Sequence, residues 1–204
     1  MSMDASKWLW SIIPKTKKRS GRESLEGVHH HSDCVFSTDS YRVHIWHLSN
    51  TGPCEVCTKK DTITLAPIFR QVAESQTRFT VSTKHLKTLC KQAQAFTENN
   101  AENPIRLSVN GCLQASAVNA ETGDWASELH DGDSWPTGKR KSPAVIYQKS
   151  GPDTFFGLSP KYLLQALSGM PEIVEVACYI PSWPVSIKGG DVQAIIMPIN
   201  LVRS

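Results

Sequence analysis

Apolar positions recur at helical spacing in three places along the chain. Residues 6–14 carry Trp8, Leu9, Ile12 and Ile13 on one stripe. Residues 82–96 carry Leu86, Leu89, Ala93 and Phe96, with Ser82 or Thr83 placed to cap the start. A third helix is predicted from Ser159-Pro160, a cap followed by proline in the first turn, with Tyr162, Leu163, Ala166 and Leu167 as its stripe. Trp8 to Leu86 is 78 residues and Leu86 to Leu163 is 77, an interval that predicts a structural repeat.

Strand-like alternation follows each helix. After the first come residues 26–31, 34–37 and 41–48, the last alternating Val43, Ile45 and Leu48 with polar positions. Residues 104–109 and 112–119 predict a hairpin turning at Asn110-Gly111. After the third helix, residues 174–179, 185–188 and 192–197 read as strands, with Gly189-Gly190 as a tight turn. Residues 49–61 and 130–142 read as loops. Helices alternating with antiparallel hairpins predict an α+β fold with helices on one face of the sheets.

Composition narrows the class. The 204 residues are 40% hydrophobic and 20% charged, with 22 Lys+Arg against 19 Asp+Glu, a net +3. That apolar content builds one or two cores and excludes a disordered chain. No apolar run approaches the ~20 residues of a membrane span. The first ten residues carry Asp4 and Lys7 and lack the pattern of a secretory signal, so no membrane association and a cytoplasmic location are expected. In that reducing setting the six cysteines are expected to be free and largely buried. Cys54 and Cys57 form a lone C-x-x-C in a turn-rich stretch. A zinc site needs two further ligands. His29, His30 and His31 alternate across a strand and cannot all face one metal, so a plain turn is the reading and no metal or cofactor is expected.

Five segments, taken in order, carry a resemblance. They are Arg22-Glu-Ser-Leu25-Glu-Gly27, Thr38-Asp39-Ser40-Tyr41-Arg42-Val43, Ala66-Pro67-Ile68-Phe69-Arg70-Gln71-Val72, Leu158-Ser159-Pro160-Lys161-Tyr162-Leu163, and Ile195-Ile196-Met197-Pro198-Ile199-Asn200-Leu201. Together they resemble the bacterial sliding clamp, the beta subunit of DNA polymerase III. The likeness covers half of that family's middle domain and the whole of its last domain, and leaves out its first. It implies a half clamp domain with linker over residues 1–77 and a complete clamp domain over 78–204. Ser40 stands where the family has glycine, Ala73 where it has proline and Asn200 where it has arginine, and residues 202–204 extend past the family's last leucine. Ser40 is expected to strain its turn if its φ is positive.

The resemblance implies a protein that binds and slides rather than an enzyme. No G-x-S-x-G, H-E-x-x-H or glycine-rich phosphate loop is present. Trp125, Trp135 and Trp183 read as core or loop anchors, with base stacking the other use open to them. The implied site is a cleft for clamp-binding peptides of polymerases and clamp loaders. Its residues are Leu25, Thr38, Tyr41, Arg42 and Val43 on one side, and Ile195, Met197, Pro198 and Ile199 on the other. The apolar members make a slot, while Thr38 and Arg42 are expected to hold polar groups of the peptide.

Duplex DNA, gripped by its phosphates without regard to sequence, is the second implied partner. Lys84, Lys87 and Lys91 share one helix face opposite the apolar stripe, a pattern that equally describes a solvated surface. Lys15, Lys17, Lys18, Arg22 and Lys161 are the other basic candidates. Three half-domains per chain predict four copies in a family-like ring of twelve halves. A second reading keeps the cleft without the ring, as an adaptor or decoy that captures such peptides.

Overall fold

The computed structural model describes residues 5–13, 27–31, 33–48, 65–95, 104–110, 113–118, 125–130 and 146–199. They form four helices and twelve strands, and one unit of construction accounts for most of them. A helix is followed by a three-stranded antiparallel meander, in which each strand pairs with the next. The unit occurs three times: α1 (Ala5–Trp10) with β1 (His29–His31), β2 (Cys34–Thr38) and β3 (Arg42–His47); α3 (Thr83–Ala95) with β5 (Ile105–Val109), β6 (Leu113–Val118) and β7 (Trp125–His130); and α4 (Pro160–Ser168) with β10 (Ile173–Cys178), β11 (Val185–Gly189) and β12 (Val192–Ile196). The remaining elements are α2 (Ala66–Ala73), β4 (Thr77–Ser82), β8 (Ile146–Ser150) and β9 (Thr154–Leu158).

The second and third units complete each other. β9, the strand leading into α4, adds to the second unit's meander beside β5, and β4, leading into α3, adds to the third unit's meander beside β10. The result is a four-stranded sheet, β7-β6-β5-β9, and an eight-stranded sheet, β1-β2-β3-β12-β11-β10-β4-β8. β3 of the first unit pairs with β12 near the other end of the chain, Val43 opposite Ile195 and Trp46 opposite Val192. The expected repeat and the α+β class are therefore present.

Two cores result. The larger takes Phe79, Val81, Val174 and Ile187 from the long sheet, Ile105, Leu107, Leu113, Phe156 and Leu158 from the short sheet, and Leu86, Leu89, Leu163 and Leu167 from the helices between. The smaller lies where α2 covers β2, β3 and β12, and holds Phe36, Val43, Ile45, Leu65, Val72 and Ile195. Full burial of side chains of this size is worth ~1.5–3 kcal/mol each, which holds the two sheets to the helices. Trp8 joins the first unit to the third, its indole N–H donating to the Ala166 carbonyl at 3.1 Å.

Several sequence expectations are refined. The 104–119 hairpin forms, but Val109 pairs with Leu113, so three residues connect its strands. At the turn expected from Gly189-Gly190, Gly189 ends β11 opposite Val192, and Gly190 takes the positive φ of +57°. β4 was not expected, although its burial alternates strictly through Thr77, Phe79 and Val81. Cys34, Cys90 and Cys178 are free and buried as expected, and burial pushes the thiols of Cys90 and Cys178 up to about 12. Cys54, Cys57, Trp135 and the predicted loop 49–61 lie outside the described residues. Trp183 packs its ring edge-on to Tyr179, 4.9 Å between centroids, as a loop anchor. Among the described residues no helix is long and apolar enough to cross a membrane.

Candidate functional site: a cleft between the first and third units

The β3–β12 pairing delivers the chain leaving β12 into a gap between two elements. Met197 N–H donates to the Tyr41 carbonyl at 2.8 Å, and Ile199 N–H donates to the Gly157 carbonyl at 2.9 Å. Residues 197–199 thus run from the β2–β3 turn to the base of α4. A cavity of about 410 Å³ opens there, lined by Tyr41, Ser159, Lys161, Tyr162, Met197, Pro198 and Ile199. Tyr41 and Met197 are 48% and 38% exposed, so the cavity presents apolar surface side by side on two of its walls.

The wall at the β2–β3 turn is held by its own polar groups. Asp39 Oδ1 accepts from the N–H groups of Tyr41 (3.0 Å) and Arg42 (3.1 Å), while Oδ2 pairs with Arg42 Nε at 3.0 Å. Thr38 Oγ1 donates to the Arg42 carbonyl at 2.8 Å and accepts from Ser40 N–H at 3.2 Å. Ser40 has φ +78°, so the expected strain is present, since a Cβ is disfavoured in that region. Arg42 is 5% exposed, stacks 4.4 Å over the Tyr162 ring and donates to the side-chain oxygen of Gln165. Desolvation lowers its pKa from the ordinary 12.5, opposed by the Asp39 charge and hydrogen bond. Tyr41 lies along Tyr162 with centroids 6.1 Å apart.

Behind this wall His44 is fully buried, its ring stacked on Trp8 at 4.1 Å. Its Nδ1 is 3.3 Å from the Trp8 carbonyl, which only accepts, so Nδ1 carries the proton of the neutral ring. Nε2 is buried with no hydrogen-bond partner among the described residues. Desolvation, opposed by that Trp8 bond and aided by the Arg42 charge, pulls the pKa down to about 3.

The opposite wall is the start of α4. Ser159 occupies the N-cap position with extended ψ of 123°, but its side chain makes no capping bond, unlike the cap expected from the sequence. Pro160 supplies no N–H, and Lys161 projects its exposed side chain at the rim.

The expected cleft residues divide accordingly. Tyr41, Met197, Pro198 and Ile199 line the cavity. Val43 and Ile195 sit in the α2 core at 5% and 1% exposure, and the polar groups of Thr38 and Arg42 are engaged within the chain rather than offered to a peptide. Leu25 lies outside the described residues. Ser159 and Tyr162 were missed as cleft residues because they read as a cap and as part of an apolar stripe. A tyrosine in that stripe was the available signal.

Of the basic candidates, Lys161 lines the cleft. Lys84, Lys87 and Lys91 fall on the face of α3 away from buried Leu86, Leu89 and Cys90, with Lys84 and Lys91 exposed. Partial desolvation and then the Lys91 charge lower the pKa of Lys87. Lys15, Lys17, Lys18 and Arg22 lie outside the described residues.

This architecture matches solved structures of bacterial clamps. The beta subunit of Streptococcus pyogenes DNA polymerase superposes with a TM-score of 0.69 at 15% identity, over 96% of this chain and 63% of that one. The DNA polymerase sliding clamp of Bacillus subtilis gives 0.70 at 15% identity, over 96% and 62%. The Pseudomonas aeruginosa sliding clamp gives 0.70 at 13% identity, over 98% and 65%. The sequence matches no protein-family model and no curated protein. The chain therefore has the sliding-clamp fold, in a form that spans under two thirds of the length of the clamps it matches.

Proposed function

We propose that this chain is a short sliding-clamp-like processivity factor, a non-enzymatic cytoplasmic protein that tethers a replication protein to duplex DNA. The observation that carries this reading is the cleft. In a clamp fold, an apolar slot made by Tyr41, Tyr162, Met197, Pro198 and Ile199 is suited to a short peptide of a polymerase or clamp loader. Thr38, Asp39 and Arg42 fix the shape of one wall, Val43 and Ile195 support it from outside the cavity, and Leu25 is assigned to the cleft by the resemblance alone. The basic face of α3 supplies phosphate contacts through Lys84, Lys87 and Lys91, joined by Lys15, Lys17, Lys18 and Arg22. Three half-units per chain support a ring of four copies, with residues 1–77 as the half domain and 78–204 as the complete one.

The test is a fluorescein-labelled Gln-Leu-Ser-Leu-Phe peptide, read by anisotropy against the full chain and Met197→Asp. The substitution is expected to weaken binding at least about 100-fold, because an unpaired carboxylate desolvated in the slot costs several kcal/mol. Equal affinity of the two proteins would overturn the cleft reading. Light scattering addresses the ring separately: a mass near four times 22.6 kDa is expected, and a stable monomer would remove encirclement while leaving the cleft.

A further inference from the structure

We propose that the α4 end of the cleft is an anion subsite, so that the captured peptide presents a carboxylate beside its apolar anchor. The inference rests on the peptide-cleft reading above and names the chemistry of what fills it.

Four observations converge on one wall. Ser159 is 5% exposed and lines the cavity, yet its hydroxyl has no hydrogen-bond partner among the described residues. An N-cap serine ordinarily turns that hydroxyl onto first-turn N–H groups. Because it does not, the backbone N–H of Lys161 keeps its donor, having no helix carbonyl within reach. The first turn of this nine-residue helix contains no acidic residue, so the positive end of its dipole is uncompensated. Finally, the Lys161 ammonium stands at the rim with no ion-pair partner among the described residues.

Among the described residues no carboxylate lines the cavity, and the nearby Asp39 is already matched by Arg42. Hydroxyl, amide, dipole and ammonium thus all favour negative charge, immediately beside Met197 and Ile199. A peptide side-chain carboxylate and a chain-terminal carboxylate satisfy this chemistry alike.

The experiment uses the full chain and four versions of the pentapeptide, with Asp or Asn at the third position and each ending in a free carboxylate or an amide. Wild type is expected to bind one of the carboxylate-bearing versions about tenfold more tightly than the neutral one, an advantage that shrinks as salt rises. Whether the third-position or the terminal comparison shows the tenfold ratio identifies the source. Lys161→Ala should reduce the ratio to about twofold, Ser159→Ala should reduce it by a smaller factor, and Lys161→Glu should invert it. Thermal melts of the variants guard against misfolding.

Equal binding of all four versions would overturn the subsite and leave the cleft standing. Binding by none would bring down the cleft reading and the subsite with it. A Lys161→Ala protein that keeps the ratio but loses salt-sensitive retention on duplex DNA would assign Lys161 to DNA instead.

Discussion

At the β2–β3 turn the polar groups of Thr38, Asp39 and Arg42 satisfy one another, whereas at the start of α4 Ser159 and Lys161 leave theirs unused. The first wall carries a strained residue, a guanidinium at 5% exposure and a buried imidazole, yet it offers a ligand little besides the Tyr41 ring. The second wall is an ordinary helix start whose donors face open space. Internal satisfaction fixes a shape, and unused donors set a preference. A cleft with one wall of each kind combines rigidity with selectivity.

The contrast is broken most forcefully at Arg42. Arg42→Ala takes away the ion partner of Asp39 and the cation stacked on Tyr162, and should cost about 3 kcal/mol in urea unfolding. Lys161→Ala should stay within about 0.5 kcal/mol. Similar values for the two would mean that the walls are not built differently.

Acid probes the same wall through His44. Its folded pKa of about 3 lies below the ordinary 6.5, so between those values the unfolded chain binds a proton that the native state refuses. Stability is therefore full above pH 6.5 and lost as pH falls below it, by about 3 kcal/mol at pH 4.5. His44→Phe keeps a ring stacked on Trp8 and should flatten the stability profile between pH 6.5 and 4.5. An unchanged slope would exclude His44 as its source. The smallest effect is expected at Ser40: replacing it by glycine at φ +78° should add about 0.5 kcal/mol, seen as a slightly higher melting temperature.

Much of this design was legible in the sequence. Three apolar stripes at near-equal intervals gave three of the four described helices, α2 being missed, and period-two alternation gave most strands. The serine in a glycine position signalled its positive φ. β4 escaped because only its last residue, Ser82, falls in an expected element, the helix over residues 82–96, and the short run 77–81 before it stays unassigned although its alternation is regular. The cleft was legible only in part. Tyr41 and residues 197–199 were assigned to it through a family resemblance, while Val43 and Ile195 were assigned with them and fall in the core that α2 covers. Nothing in Ser159-Pro160-Lys161 announces that the serine leaves its own helix uncapped. That depends on which surface the last strand brings opposite, and the pairing of β12 with β3 is a property of the whole fold.

That pairing also governs the order of events during synthesis. β3 is made before its partner β12, which emerges from the ribosome about 150 residues later, so the first unit waits through that interval with one strand edge unpaired. The cleft forms only when residues 192–199 dock, and a chain cut before Val192 would lose the strand that joins the first unit to the third.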